Sequence, residues 1–128
     1  MLHPKQFEVK EAWIAFRLNT APIQTERDGN FNCIALMDAA SCFILCSELI
    51  PVAGAEPTRA QFRRLLKDAK RHKQQLPKTL FVPREDVADR VTLESAQQNI
   101  GVVRVPESEL LVFIGEAREA FAERFEEM

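Results

Sequence analysis

Cysteine and histidine are the residue types in this chain best suited to metal or acid–base chemistry, and there are few of them. Cys33 and Cys46 stand at the two ends of the stretch CIALMDAASCFILC, and His3 and His72 are the only histidines. A structural zinc site takes four such ligands, and no segment brings four together. His72 sits among lysines and arginines, whose charge disfavours an imidazolium. The pattern therefore predicts no metal site, no cofactor and no catalytic residue.

The stretch that carries the two cysteines is typical of a buried β-hairpin. Asp38 and Ser41 favour a tight turn because their side chains bond nearby backbone N–H groups. If the hairpin turns symmetrically about its central alanine pair, Cys33 faces Cys46. Facing residues have Cβ atoms ~4.5–5.5 Å apart, whereas a disulfide prefers ~3.5–4.5 Å, so a bond would be strained. We expect reduced, inert core thiols; a redox-sensitive pair and a metal clip are the less favoured alternatives.

Several classes of function lack their sequence signatures. No GxxxxGK[ST], GxGxxG, GxSxG or HExxH pattern occurs, which argues against an enzyme of those classes. No apolar run approaches the ~18 residues that would span a membrane, and the N-terminus lacks the apolar region of a secretory signal. Three cysteines make an odd count, which argues against a secreted disulfide framework. We expect a cytoplasmic protein with no membrane partner.

Charge is distributed unevenly along the chain, although the net charge is only −2. Nine bases and one acid lie between Pro57 and Arg84, whereas seven acids and two bases lie between Glu107 and Met128. Either the two segments attract each other, or each faces a partner.

The basic segment supplies the candidate binding residues. No aromatic residue interleaves these bases on the polar face, so a protein partner, which includes a second copy of the chain, is favoured over nucleic acid. A solvated helix face with no specific partner is the third alternative, and such faces are common. The candidates share the outward face of one predicted helix: Arg59, Arg63, Arg64, Lys67, Lys70 and Arg71.

The elements that would position these residues follow from the apolar periodicity. The 128 residues suit one α/β domain over 1–128, with a flexible segment at 1–6. Strands are predicted at WIAFRLN, FNCIALM, CFILCSELI, KTLFV and VVRV. The first two strands are joined by the exposed loop TAPIQTERDGN.

After the first three strands, three predicted helices alternate with the last two strands. A Thr58–Gln61 capping box opens the first helix, residues 85–99 form the second with an interruption near Thr92, and Ser108 caps the third. The first three strands then form an antiparallel meander, and the helical crossovers make the later strands parallel.

This order of elements resembles the ribonuclease H-like fold, which has a five-stranded mixed sheet. The stretch IALMDAASCFIL resembles the second and third strands of transposase and retroviral integrase cores, which often carry Asp and Ser in the turn. The match covers roughly Trp13 to Phe125 by pattern rather than identity, and the layout also fits a bacterial domain family. The resemblance implies a site in which acidic side chains hold two divalent metals.

Two of the three carboxylate positions that the resemblance requires are not acidic here. The first strand offers only Arg17 and Asn19 as polar residues, and the fourth strand ends at Pro83 and Arg84. The nearest acids, Glu85 and Asp86, are displaced onto the next predicted helix, and the last helix offers Glu109, Glu116 or Glu119. The resemblance therefore implies a copy that has lost nuclease chemistry.

Three functions follow, in order of preference. The first is a non-catalytic binding or regulatory module, and the second is a nucleic-acid-binding remnant of an integrase-like domain. The third is a divergent metal-dependent nuclease that uses Asp38, Glu85, Asp86 and a glutamate of the tail. The third requires these carboxylates to converge within ~4–6 Å of one another.

Overall fold

The computed structural model describes residues 2–8 and 11–126. Its strands are β1 (Ala12–Arg17), β2 (Ile23–Gln24), β3 (Asn30–Asp38), β4 (Ile44–Pro51), β5 (Thr79–Pro83) and β6 (Gly101–Val105). Its helices are α1 (Arg59–Lys73), α2 (Asp89–Gln97) and α3 (Glu107–Glu126), and short 3-10 turns lie at Pro4–Gln6 and Val52–Gly54. The flexibility of residues 1–6 stays a prediction, since a 3-10 turn does not report on mobility. Among these helices none is long and apolar enough to cross a membrane.

Strand β1 is central in the sheet because its residues are apolar on both faces. It pairs antiparallel with β3 and parallel with β5. On the side away from β1, β3 pairs antiparallel with β4, and β5 pairs parallel with β6. The order of the main strands is β4-β3-β1-β5-β6, which confirms the predicted meander and parallel crossovers.

The sheet has six strands, not the predicted five, because part of the predicted loop pairs with β3. Phe31 of β3 pairs with Ile23 of β2 and also with Pro51 of β4. A residue within a strand can pair with one strand on each side. Since β4 occupies one side of β3, β2 lies on the other side, the same side as β1.

Asn19 causes the gap between β1 and β2. Its side-chain oxygen accepts a hydrogen bond from the backbone N–H of Cys33 at 2.7 Å, and its amide nitrogen donates to the carbonyl of Ala21 at 2.8 Å. The side chain thus replaces a ladder partner of Cys33, and pairing with β3 resumes at Ile23. The type and position of Asn19, a polar residue at the end of a predicted strand, did not by themselves predict these hydrogen bonds.

Two cores lie on the two faces of the sheet. Trp13 and Ala15 of β1 point toward α1 and α2, where they join a cluster with Phe62, Leu65 and Val91. Alternate residues of the same strand point toward α3, since side chains on a strand alternate between faces. That second cluster contains Ile14, Phe16, Leu110, Phe113 and Ile114.

The β3–β4 hairpin has a different register from the predicted one. Cys33 faces Leu49, and Cys46 faces Leu36, so the two cysteines are not a facing pair. The turn is longer because the Asp38 carboxylate accepts hydrogen bonds from both the backbone N–H (3.0 Å) and the hydroxyl (2.6 Å) of Ser41. The predicted role of Asp38 and Ser41 in shaping the turn is confirmed. The centre of the turn, however, is not at the alanine pair.

Helix α1 has the predicted start. The Thr58 hydroxyl accepts from the N–H of Gln61 at 3.1 Å, and the Gln61 side chain accepts from the N–H of Thr58 at 2.8 Å. The helix ends at Lys73, and Gln74 follows in the left-handed conformation with φ of 64°. Its inward face carries Phe62 and Leu65, as the periodicity predicted.

Helices α2 and α3 differ from the predictions at their N-termini. Helix α2 begins at Asp89, not near residue 85, and it continues through Thr92 without interruption. Glu56, five residues after the end of β4, caps its first turn. The local acids Glu85 and Asp86 lie in the preceding turn. Helix α3 begins at Glu107, and Ser108 lies inside its first turn rather than at the cap.

Candidate functional site

The six predicted binding residues lie on α1, but the structure does not leave all of them available. Arg63 donates two hydrogen bonds to Glu94 of α2, from Nε at 3.1 Å and from a terminal nitrogen at 3.0 Å. Arg59 Nε lies 3.4 Å from the same carboxylate. Two of the six bases therefore hold α1 against α2.

Glu94 is inaccessible because neighbouring side chains cover it rather than because it lies deep. Its side chain is 1% exposed, and Gln98 donates to its carboxylate at 3.3 Å in addition to the two arginines. The hydrogen bond from Arg63 lowers the pKa of Glu94, and this effect outweighs the opposing effect of burial. Sequence alone did not single out Glu94, because the partner arginine lies on another helix about thirty residues away.

Two further bases have weak partners. Arg64 lies 3.6 Å from Glu48 of β4, and Arg71 lies 3.8 Å from Asp68 one turn earlier. The arginine side chains of these pairs are 61% and 71% exposed, so solvent and salt screen both pairs strongly. These two arginines remain accessible to a partner.

Lys67 and Lys70 complete the accessible set. Both are exposed, and in the described ranges neither side chain makes an ion pair within 4.0 Å. We call the four accessible bases the α1 basic surface: Arg64, Lys67, Lys70 and Arg71.

A shallow cavity of about 220 Å³ adjoins the α1 basic surface. Leu66 and Leu76 supply apolar wall, and Lys67 and Lys70 supply positive charge. Arg63, which is paired with Glu94, and Gln98 complete the lining. We call this feature the α1 groove. It combines apolar surface with a basic rim, which suits a ligand that is both apolar and acidic.

The acidic helix α3 does not neutralise this surface within the molecule. Helix α1 packs on the face of the sheet that carries Trp13, whereas α3 packs on the opposite face with Ile14. Among the described residues, no ion pair within 4.0 Å joins the basic segment to the acidic one. That each segment faces a partner stays a prediction.

The carboxylates of the nuclease alternative lie at two ends of the sheet. Asp38 pairs with Trp13 near the start of β1, whereas Glu85 and Asp86 follow the far end of β5, which runs parallel to β1. The required convergence is therefore not present. Over residues 2–8 and 11–126, no group of three or more His, Cys, Asp or Glu side chains could hold a metal ion.

The three cysteines are free thiols. Burial raises the pKa of Cys46 to about 12, and its Sγ lies 3.2 Å from the carbonyl oxygen of Leu65, to which it donates. Burial also raises the pKa of Cys33 and Cys42. A raised thiol pKa suppresses the reactive thiolate at neutral pH.

Comparison with known proteins gives evidence on the fold. No protein-family model matches the chain, and no curated protein matches it. Among solved structures, it is similar to a chain of the simian T-cell lymphotropic virus intasome in complex with the PP2A regulatory subunit B56 gamma, with a TM-score of 0.61 and 9% identity. The match covers 91% of this chain and 39% of the intasome chain. At this identity the similarity concerns the fold alone, and it supports the integrase-like resemblance at that level.

Proposed function

We propose that the protein is a non-catalytic binding module and that the α1 groove binds an acidic segment of a partner protein. The observation that carries the proposal is the combination of accessible bases with apolar wall in one groove. The half-buried Leu76 would contact an apolar anchor of the partner, above the buried Leu66. Lys67 and Lys70 would attract the flanking acids.

A protein segment fits this surface better than a nucleic acid does. The α1 basic surface has four bases. Two of them, Arg64 and Arg71, already have an acidic side chain within 4.0 Å. Binding to a duplex usually relies on many phosphate contacts, and binding to single strands relies on aromatic stacking. Phe62, the aromatic residue of α1, is fully buried and cannot stack on a base.

The proposal extends to the lineage and location of the protein. The first strand and the end of β5 present Ile14, Ala15 and Pro83 at the positions where integrase-like nucleases need acids. We infer a ribonuclease H-like domain that has exchanged catalysis for binding. A cytoplasmic location agrees with three free thiols, since the cytosol keeps thiols reduced.

A fluorescence anisotropy titration tests the proposal with a defined probe. The probe is a labelled peptide of glutamates with one central leucine, and the comparison peptide carries serine in place of that leucine. We expect the leucine peptide to bind more tightly, with an affinity that falls as salt is added.

Charge reversal on the groove supplies the matched controls. The double variant Lys67→Glu/Lys70→Glu should weaken peptide binding about tenfold or more. Lys78→Glu/Arg84→Glu changes two exposed bases off α1 and should leave binding close to that of the unmodified protein. Equal loss in both variants, or tighter binding to duplex DNA than to the peptide, would overturn the proposal.

A further inference from the structure

A second cavity lies at the ends of β1 and β5, apart from the α1 groove. Its volume is about 230 Å³, which is below the ~300–1,000 Å³ of typical drug-sized pockets. Its apolar lining comes from the sheet and from the start of α2, namely Ala15, Ile34, Val82, Ala88 and Val91. An apolar lining of this size suits a short aliphatic group.

Arg17 stands at the polar side of this cavity. It follows Trp13 and Ala15 at alternate positions of β1, so its side chain leaves the strand on the cavity face. Its Nε is buried and has no hydrogen-bond partner, and no carboxylate of the described chain lies within 4.0 Å of its guanidinium. Because solvent does not reach that atom, the terminal nitrogens of the guanidinium are the donors that a ligand in the cavity would meet.

The neighbouring carboxylate Glu56 is not available to Arg17. Its two oxygens accept from the backbone N–H groups of Asp89, Arg90 and Val91 at 2.8–3.1 Å. Its side chain is therefore committed to α2. The carboxylate thus lines the cavity without pairing with the arginine.

Asp86 and Asn32 complete the polar side. Burial raises the pKa of Asp86, and Glu107 raises it further, whereas Arg17 opposes the shift. The Asn32 side-chain oxygen accepts from Asn19 at 3.0 Å, which leaves its amide nitrogen as a second donor beside Arg17. Glu85 also lines the cavity, but its carboxylate accepts from the backbone N–H of Glu107 at 3.0 Å. The polar side thus offers two donors and, besides Glu56 and Glu85, the carboxyl group of Asp86.

We propose that this cavity binds a small molecule with a carboxylate on a short branched aliphatic chain. Arg17 binds the carboxylate, for which a guanidinium has matching geometry, and the apolar lining binds the chain. Two sources share this chemistry, a free α-amino acid and a simple aliphatic acid. In the amino acid the ammonium group would lie toward Asp86.

Chemical-shift titration of the ¹⁵N-labelled full chain tests the proposal with three probes: leucine, 4-methylpentanoate and 4-methylpentanol. We expect both carboxylates to shift amides at the cavity with a Kd on the order of 1 mM or tighter. The alcohol lacks the carboxylate and should bind at least about tenfold more weakly. Tighter binding of leucine that disappears in Asp86→Asn identifies the amino acid, and equal binding identifies the simple acid.

Arg17→Met removes the guanidinium and keeps an apolar stem of similar length. It should abolish the preference for the carboxylates over the alcohol, whereas Arg84→Met, an exposed neighbour outside the cavity lining, should keep it. Both variants should retain the dispersed amide spectrum of the folded chain. Unchanged carboxylate binding in Arg17→Met, or amide shifts elsewhere than at the cavity, overturns the proposal and leaves the α1 groove unaffected.

Discussion

At the scale of single residues, Glu56 joins two parts of the chain that are distant in sequence. Its carboxylate accepts from three N–H groups in the first turn of α2. Arg90 of that turn in turn donates to the carbonyl oxygens of Gly54 and Glu56 at 2.8 and 2.9 Å. The segment after β4 and the start of α2 therefore hold each other in place.

Replacing Glu56 should destabilise the protein through α2. Glu56→Ala leaves three N–H groups without their acceptor, and we expect a loss of about 2 kcal/mol of unfolding free energy. Glu56→Gln keeps one acceptor oxygen and should lose less. Urea denaturation followed by circular dichroism measures both. The exposed Glu26→Ala is the control, and a loss in Glu56→Ala no larger than in this control would contradict the capping role.

Glu94 should make the stability depend on pH in the acidic range. Its hydrogen bond with Arg63 lowers its pKa in the folded state, so the stabilisation is present above the ordinary glutamate pKa of ~4.3 and is lost as the pH falls through the folded-state value. Glu94→Gln should therefore be less stable than the unmodified protein at pH 7, and the difference should shrink with acidification. Thermal unfolding across this range measures it; a difference that is constant with pH would contradict the account.

At the scale of elements, α1 depends on a local cap and on a distant ion pair. The Thr58–Gln61 capping box fixes its first turn, and the Arg63–Glu94 contact fixes its position on α2. The cap stabilises the first turn of α1, whereas the ion pair stabilises the packing of α1 against α2.

Removing the cap should weaken α1 without moving it. Thr58→Ala loses the acceptor for the N–H of Gln61, and we expect a loss of about 1 kcal/mol. Thr58→Ser keeps the hydroxyl and should remain within a few tenths of a kcal/mol of the original. Chemical denaturation compares the two, and equal losses for alanine and serine would show that the hydroxyl does not cap the helix.

These elements also show what could be predicted from sequence. The start of α1 was predictable because a capping box lies within four residues, and β1 was predictable because its apolar residues form one run. The start of α2 was not, since Glu56 caps it from more than thirty residues away. The predicted facing of Cys33 and Cys46 was wrong for a local reason. The Asp38–Ser41 bonds shape a longer turn, and a register shift between Leu36 and Met37 moves the pairing by one more residue.

The candidate site was predictable only in part. Charge density along the sequence identified α1, but it could not separate Arg59 and Arg63, which hold Glu94, from the bases that remain accessible. The cavity beside Arg17 had no sequence signal, because its walls come from β1, β3, β5 and α2. The accessibility of each base and the existence of the cavity both depend on contacts between segments that are distant in sequence.

At the scale of the whole molecule, the sheet separates two oppositely charged surfaces. The basic helix α1 covers one face and the acidic helix α3 covers the other. The chain is similar in fold to part of an intasome chain, 39% of its length, but its described strand ends carry no metal-binding group. The central claim is that this fold serves binding and that the α1 groove is the contact site.

Chemical-shift mapping with the glutamate–leucine peptide tests that claim most directly. Addition of the peptide to the ¹⁵N-labelled chain should shift the amides of the groove, namely Leu66, Lys67, Lys70, Leu76 and Gln98, and leave those of α3 in place. Shifts confined to α3 or to the cavity beside Arg17, or no shifts at peptide concentrations on the order of 1 mM, would contradict it.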